Sequence, residues 1–151
     1  MAFRTEHHPP HYYAPDCCYF LTATTVSRQP VLQIGANRTL LRDAIKDALV
    51  CSGVTLYAWV VLTDHYHLLL RTGESTSVGR FIKGLHSDSA SRLNRADGAP
   101  GRQVWYQYWD RTPRDEDEFW AYFNYIHINP IKHKCVQTPW QGWMPATSRW
   151  K

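Results

Sequence analysis

The sequence predicts an α+β fold, an antiparallel sheet with helices covering one side. Two observations carry that prediction. Short apolar runs rich in β-branched and aromatic residues recur at Cys18–Val26, Thr55–Leu62 and His65–Leu70, as strands do. Between and after them, apolar residues repeat at helical spacing. The elements then follow in order. Cys18 to Val26 forms the first strand. Leu40, Leu41, Ala44, Ile45, Ala48 and Leu49 form one stripe of a helix that stops before Gly53. Thr55 to Leu62 is a continuous apolar run, the pattern of a strand buried on both faces. Only Thr63-Asp64 separates it from the next run, so the two strands form a hairpin. Val78, Phe81, Ile82, Leu85, Ala90 and Leu93 mark a second helix, and Gly98, Pro100 and Gly101 make residues 96–104 a mobile loop. Val104 to Tyr108 offers one further strand. Asp115 and Glu118 have the spacing of a capping pair for a third helix, and Pro130 should end it at or near Asn129.

Residues 1–16, with their His and Pro, read as a flexible lead-in, and residues 17–151 as a single domain closed by a Trp-rich tail (Trp140, Trp143, Trp150). A chain of 151 residues with 44% hydrophobic and 20% charged residues has the apolar material for a core and does not have the composition of a disordered one. Its longest apolar run, Leu56 to Leu62, is far shorter than the roughly 20 residues of a membrane helix. With no apolar stretch near Met1 to act as a secretory signal, the expected location is the cytoplasm. Cys17, Cys18, Cys51 and Cys135 include no C-x-x-C pair, in keeping with thiols in a reducing compartment. The net charge of +4 permits a polyanionic partner without requiring one. Nine aromatics crowd between Trp105 and Tyr125.

Two short motifs carry possible chemistry. In His65-Tyr66-His67 the histidines are two apart on a strand, so both project from one face and can chelate one divalent ion, while Tyr66 points to the opposite, buried face. The same spacing also suits an ordinary pair of packed or surface histidines. In Tyr125-Ile126-His127-Ile128-Asn129, Tyr125 and Asn129 are four apart and share a helical face. Phe119, Tyr122, Phe123 and Ile126 supply the stripe that packs on the sheet. Taken singly, Tyr125 also reads as a core aromatic and Asn129 as a C-cap. Taken together, two imidazoles and an amide oxygen hold an ion that polarises a phosphate, and a phenol stands by as nucleophile.

The sequence resembles the REP-associated tyrosine transposases, a branch of the single-tyrosine HUH endonucleases. The resemblance rests on Tyr19 to Thr22 and Ser27 to Leu32, on Tyr57 to Leu70 with its two histidines, on Phe81 to Leu85, on Trp109-Asp110-Arg111 through Phe119, and on Tyr125 to His133. It implies a ferredoxin-like antiparallel sheet with flanking helices, carrying an HUH-type catalytic domain over residues 17–151. It further implies His65, His67 and Asn129 as ligands of Mg²⁺ or Mn²⁺, and Tyr125 as the nucleophile that nicks single-stranded DNA beside palindromic hairpin repeats through a 5′-phosphotyrosine, with rejoining by reversal. The family often has Pro at Thr63 and a smaller apolar residue at Tyr66. Tyr122 is the alternative nucleophile. Candidate DNA contacts are Arg80, Lys83, Arg92, Arg95, Arg111, Arg114, His127, Lys132 and Lys134, though His127 also reads as a plain helix-surface residue. A monomer is expected, with a dimer as the alternative. Two other functions fit the same residues: a hairpin-binding protein of this fold that no longer cuts, and a small metal-binding protein with no nucleic-acid role.

Overall fold

The structure is a computed structural model that describes residues 16–50 and 52–132, with side chains through Asn129. The lead-in up to residue 15, Cys51, Cys135, Lys134, the Trp-rich tail and the side chain of Lys132 lie outside the described residues. The elements run β1 (Cys18–Thr25), α1 (Gly35–Leu49), β2 (Thr55–Val61), β3 (His65–Arg71), α2 (Val78–Asp97), β4 (Trp105–Arg111) and α3 (Glu116–Lys132). The strands form one sheet in the order β2-β3-β1-β4, and every neighbouring pair is antiparallel. The fold is α+β, as the sequence predicts.

Strand alternation divides the core in two. Tyr19, Leu21 and Ala23 of β1 and Tyr66, Leu68 and Leu70 of β3 face α1 and α2 in one cluster with Ile45, Leu85 and Leu93. Phe20, Leu69, Ala58 and Val60 face the other way, where Ile126 of α3 meets them with Phe119, Tyr122 and Phe123. Helices on one side only is therefore incorrect: α3 covers the second face. A helical stripe predicts that a helix packs on a sheet, but both faces here are apolar and accept one.

Local details differ from expectation in physically simple ways. β2 is an edge strand, so only its centre, Ala58 to Val60, is fully buried. α1 begins at Gly35, ahead of its apolar stripe, because Arg38 Nη1 donates to the carbonyls of Leu32 and Gln33 at 2.9 and 2.8 Å and fastens the entry. Residues 96–104 are tied down: Gly98 caps α2 in the left-handed region (φ 62°), Asn94 Nδ2 donates to Arg102 O at 2.7 Å, and Arg102 pairs with Asp97 at 2.9 Å. The Asp115 cap forms, its Oδ1 accepting from Glu118 N at 2.8 Å. α3 passes through Pro130 to Lys132; proline lacks the donor N–H, but its ring fixes φ at a helical value and the last turn continues.

Candidate active site

The β2–β3 hairpin delivers the two histidines. Its Thr63-Asp64 turn is fastened through backbone carbonyls: Thr63 O accepts from Leu32 N at 2.9 Å, and Asp64 O accepts from Thr25 N at 2.9 Å. Those acceptors exist whatever side chain stands at Thr63, so the absence of proline there leaves the turn in place. From that turn β3 starts at His65, and strand alternation puts His65, His67 and Leu69 on the α3 face. Tyr66 goes to the opposite core, fully buried, with its hydroxyl 2.8 Å from His86 Nε2.

Both imidazoles are held by their Nδ1 atoms. His65 Nδ1 lies 2.7 Å from Asp64 Oδ1, and His67 Nδ1 lies 2.8 Å from Thr22 Oγ1 on the paired residue of β1. Burial acts to raise the Asp64 pKa, but the hydrogen bond from His65 and the Arg28 guanidinium outweigh it and hold the carboxyl below its usual range. An ionised carboxylate only accepts, so the His65 proton sits on Nδ1 and the lone pair of a neutral ring falls on Nε2. Arg28 donates from Nε to Asp64 Oδ2 at 2.9 Å. It does so from a backbone with φ 54°, a left-handed conformation that costs a non-glycine residue about 1–2 kcal/mol. Ring centroids of His65 and His67 are 5.1 Å apart, and both residues are buried.

α3 brings the remaining groups. Tyr125 sets its ring edge-on to His67, centroids 5.4 Å apart, and to Phe20 at 6.0 Å, while staying 39% exposed. Asn129, one turn on, is fully buried, and among the described residues neither its amide oxygen nor its nitrogen has a hydrogen-bond partner. A polar group left that way costs about 1–3 kcal/mol, so the side chain is suited to a ligand atom rather than to the core. No cluster of three His, Cys, Asp or Glu occurs among the described residues; an amide oxygen is a further donor type that can join a pair of imidazoles. Two imidazole nitrogens with one amide oxygen fit a divalent ion.

Other sequence candidates fall elsewhere. Tyr122 stacks on Phe20 at 4.4 Å and donates to Glu118 Oε1 at 3.2 Å, so its ring is held in the packing under α3 and its hydroxyl faces a carboxylate. His127 is bound to its own helix, Nδ1 at 2.7 Å from Phe123 O and its ring on Phe123 at 4.3 Å. Arg80 and Lys83 are exposed on α2, the helix behind the sheet, away from the histidine face. Arg95 is exposed on the same helix. Arg92 joins α1 to α2 through Asp47 and Asp88 at 2.6 and 2.9 Å. Arg114 pairs with Glu118 at 3.1 Å. Among the described candidates on the sheet, Arg111 stands on the histidine face, opposite Phe20 across the β1–β4 ladder. Sequence reasoning overlooked Thr22, Arg28 and Asp64. Asp64 was legible, being an acid adjacent to a candidate ligand; Thr22 was not, since 45 residues separate it from His67.

A four-stranded antiparallel sheet with helices on both faces is a fold this chain shares with a solved transposase. The solved structure of a REP-associated tyrosine transposase bound to a REP hairpin superposes with a TM-score of 0.71 over 97% of this chain and 92% of that one, at 22% identity. The family described as Transposase IS200 like matches residues 13–127, and the chain belongs to that family. The REP-associated tyrosine transposase of Escherichia coli (strain K12) is 25% identical over 142 residues, 92% of this chain and 76% of that protein. A putative transposase from Deinococcus radiodurans R1 is 26% identical, with a TM-score of 0.56 over 79% of this chain and 95% of that one. Among the described residues no helix is long and apolar enough to cross a membrane.

Proposed function

We propose that this protein is a metal-dependent single-strand DNA transesterase that nicks and rejoins DNA beside palindromic hairpin repeats. The observation that carries the proposal is the contact of Tyr125 with His67 of the same chain, a phenol beside a buried histidine pair. The relative that binds a REP hairpin supports the choice of substrate. His65 and His67 through Nε2, and Asn129 through its amide oxygen, would hold Mg²⁺ or Mn²⁺, which when bound supplies charge stabilisation to a phosphate in flight.

Tyr125 Oη attacks the phosphorus and gives up its proton to solvent. The P–O3′ bond breaks, the 3′ oxygen leaves with the electron pair and takes a proton, and the 5′ phosphate stays on Tyr125 as a phosphotyrosine diester. Attack by a 3′-OH on that diester restores the phenol and joins the strands. One ester replaces another, so no nucleoside triphosphate is consumed. Asp64 fixes the His65 tautomer, and Asp64 and Thr22 hold the two ring planes through the Nδ1 atoms. Phe20, packed between Tyr122 and His67, fills the floor beneath Tyr125. Because tyrosine and histidine meet within one chain, a monomer suffices for this step.

Incubating the protein with a single-stranded DNA hairpin carrying unpaired flanks should give a DNA–protein adduct on a denaturing gel in Mg²⁺ or Mn²⁺ and none in EDTA. Tyr125→Phe should abolish it. Tight hairpin binding with no adduct under any metal condition would identify a binding protein instead.

A further inference from the structure

On the histidine face a line of paired residues crosses the sheet. Val60 of β2 stands opposite His67 of β3, His67 opposite Thr22 of β1, and Thr22 opposite Trp109 of β4. Directly opposed residues point to the same side of a sheet, so the Trp109 indole shares the face of the histidine pair. Cover changes along that line. Ile126 and its neighbours on α3 pack with Ala58, Val60 and Leu69, and Val60 and His67 are buried, whereas Trp109 is 38% exposed. Among the described residues no ring stacks on the Trp109 indole and no hydrogen bond engages its side chain.

Trp105 on the same strand shows what a structural indole looks like here. It is buried, stacked on His86 at 4.8 Å, with Nε1 donating to Ser89 Oγ at 2.9 Å. Beside Trp109, two residues along the strand and on the same face, is the exposed Arg111, whose guanidinium also reaches the Tyr122 hydroxyl. An open aromatic face next to a cation, at the edge of a site built for phosphate chemistry, matches the elements of single-strand nucleic-acid recognition: a stacking surface and a charge for the backbone.

We propose that Trp109 is the stacking platform for an unpaired base close to the scissile phosphate and that Arg111 holds the phosphate of the strand running past it. The inference rests on the transesterase reading of the site. Its reach follows from sheet geometry. Neighbouring strands are about 4.8 Å apart, which puts β4 about 9.6 Å from β3. At about 3.4 Å per stacked nucleotide, the base on Trp109 belongs within three nucleotides of the cut. Any base has a π-face, so the platform fixes where the strand lies more than which base is there.

The test uses a fluorescein-labelled DNA hairpin with unpaired 5′ and 3′ flanks, selected from a library randomised in stem and flank. Binding is measured by anisotropy in EDTA with the Tyr125→Phe protein, and an abasic site is moved through the flanks one nucleotide at a time. One position should weaken binding roughly 5- to 150-fold. Trp109→Ala should cost the same factor on the intact hairpin and be insensitive to that abasic site, and Trp109→Phe should restore most of the affinity and the sensitivity. Arg111→Gln should weaken binding at every abasic position alike and flatten its salt dependence. With the parent protein, the sensitive nucleotide should map within three of the cut.

Unchanged binding by Trp109→Ala overturns the proposal, as does a loss that simply adds to the abasic effect, the result expected if residues 133–151 or a second chain cover the indole. A circular dichroism melt of each variant separates lost contact from lost fold. Adduct formation without Trp109 coupling would overturn this inference alone; coupling without an adduct would overturn the transesterase reading and leave a stacking platform.

Discussion

Removing the Asp64 carboxylate should loosen the metal site without touching a proposed ligand. Asp64 Oδ1 is 2.7 Å from His65 Nδ1, and Arg28 Nε at 2.9 Å fixes the other oxygen, so the carboxylate is oriented as well as charged. Asp64→Ala frees His65 to place its proton on either nitrogen and to rotate. Half or more of the population then presents an N–H where a lone pair is needed, and the ring pays orientational entropy on binding. Outer-shell partners of this type typically cost roughly 10- to 100-fold in metal affinity, or about 1.4–2.8 kcal/mol. Asp64→Asn keeps a carbonyl acceptor for Nδ1 but loses the charge, and should fall between parent and alanine. Mn²⁺ titration of the metal-free protein, followed by electron paramagnetic resonance of the free ion, reads the series directly. Equal Mn²⁺ affinity in parent and Asp64→Ala would refute the reasoning.

Two further outcomes are expected. Asn129→Leu replaces a buried amide without partners by an apolar side chain of similar size, and should raise stability in EDTA by about 1 kcal/mol while abolishing any stabilisation by Mn²⁺; a chemical-denaturation curve showing a destabilised metal-free variant would contradict it. His86 packs between Tyr66 and Trp105, and burial holds its pKa down at about 3, against about 6.5 unfolded. Between those values the unfolded chain takes up the extra proton, so stability falls with pH from about 6.5 towards 3 by up to about 1.4 kcal/mol per pH unit. His86→Gln, which keeps a partner for the Tyr66 hydroxyl, should flatten the urea-unfolding profile between pH 6 and 4, and parallel profiles would argue against burial of the neutral ring.

Much of this architecture was legible because it is written in short-range periodicity. The period-two alternation through His65-Tyr66-His67 fixes that the histidines share a face and Tyr66 leaves it, and the structure has both. The Asp115 cap is likewise a spacing of three residues. What could not be read is long-range. The α3 stripe gives a helix with one apolar side but not which face of the sheet it meets, so α3 was expected beside α1 and α2 and lies opposite them. The same blindness affects the cations: Arg80, Arg92 and Arg111 look alike in sequence, yet α2 carries the first two behind the sheet and Arg92 into a bridge with Asp47, while pairing with Phe20 turns Arg111 to the histidine side. Thr22 acquires its place against His67 only when β1 inserts between β3 and β4.

The central claim is a covalent bond between one tyrosine and one phosphate. The adduct formed with a hairpin DNA in Mn²⁺ can be digested with nuclease and trypsin and its peptides sequenced by tandem mass spectrometry. The expected product is a nucleotide esterified through its 5′ phosphate to Tyr125, next to His67. A nucleotide carried by Tyr122, whose hydroxyl faces Glu118, or by any other residue would contradict it.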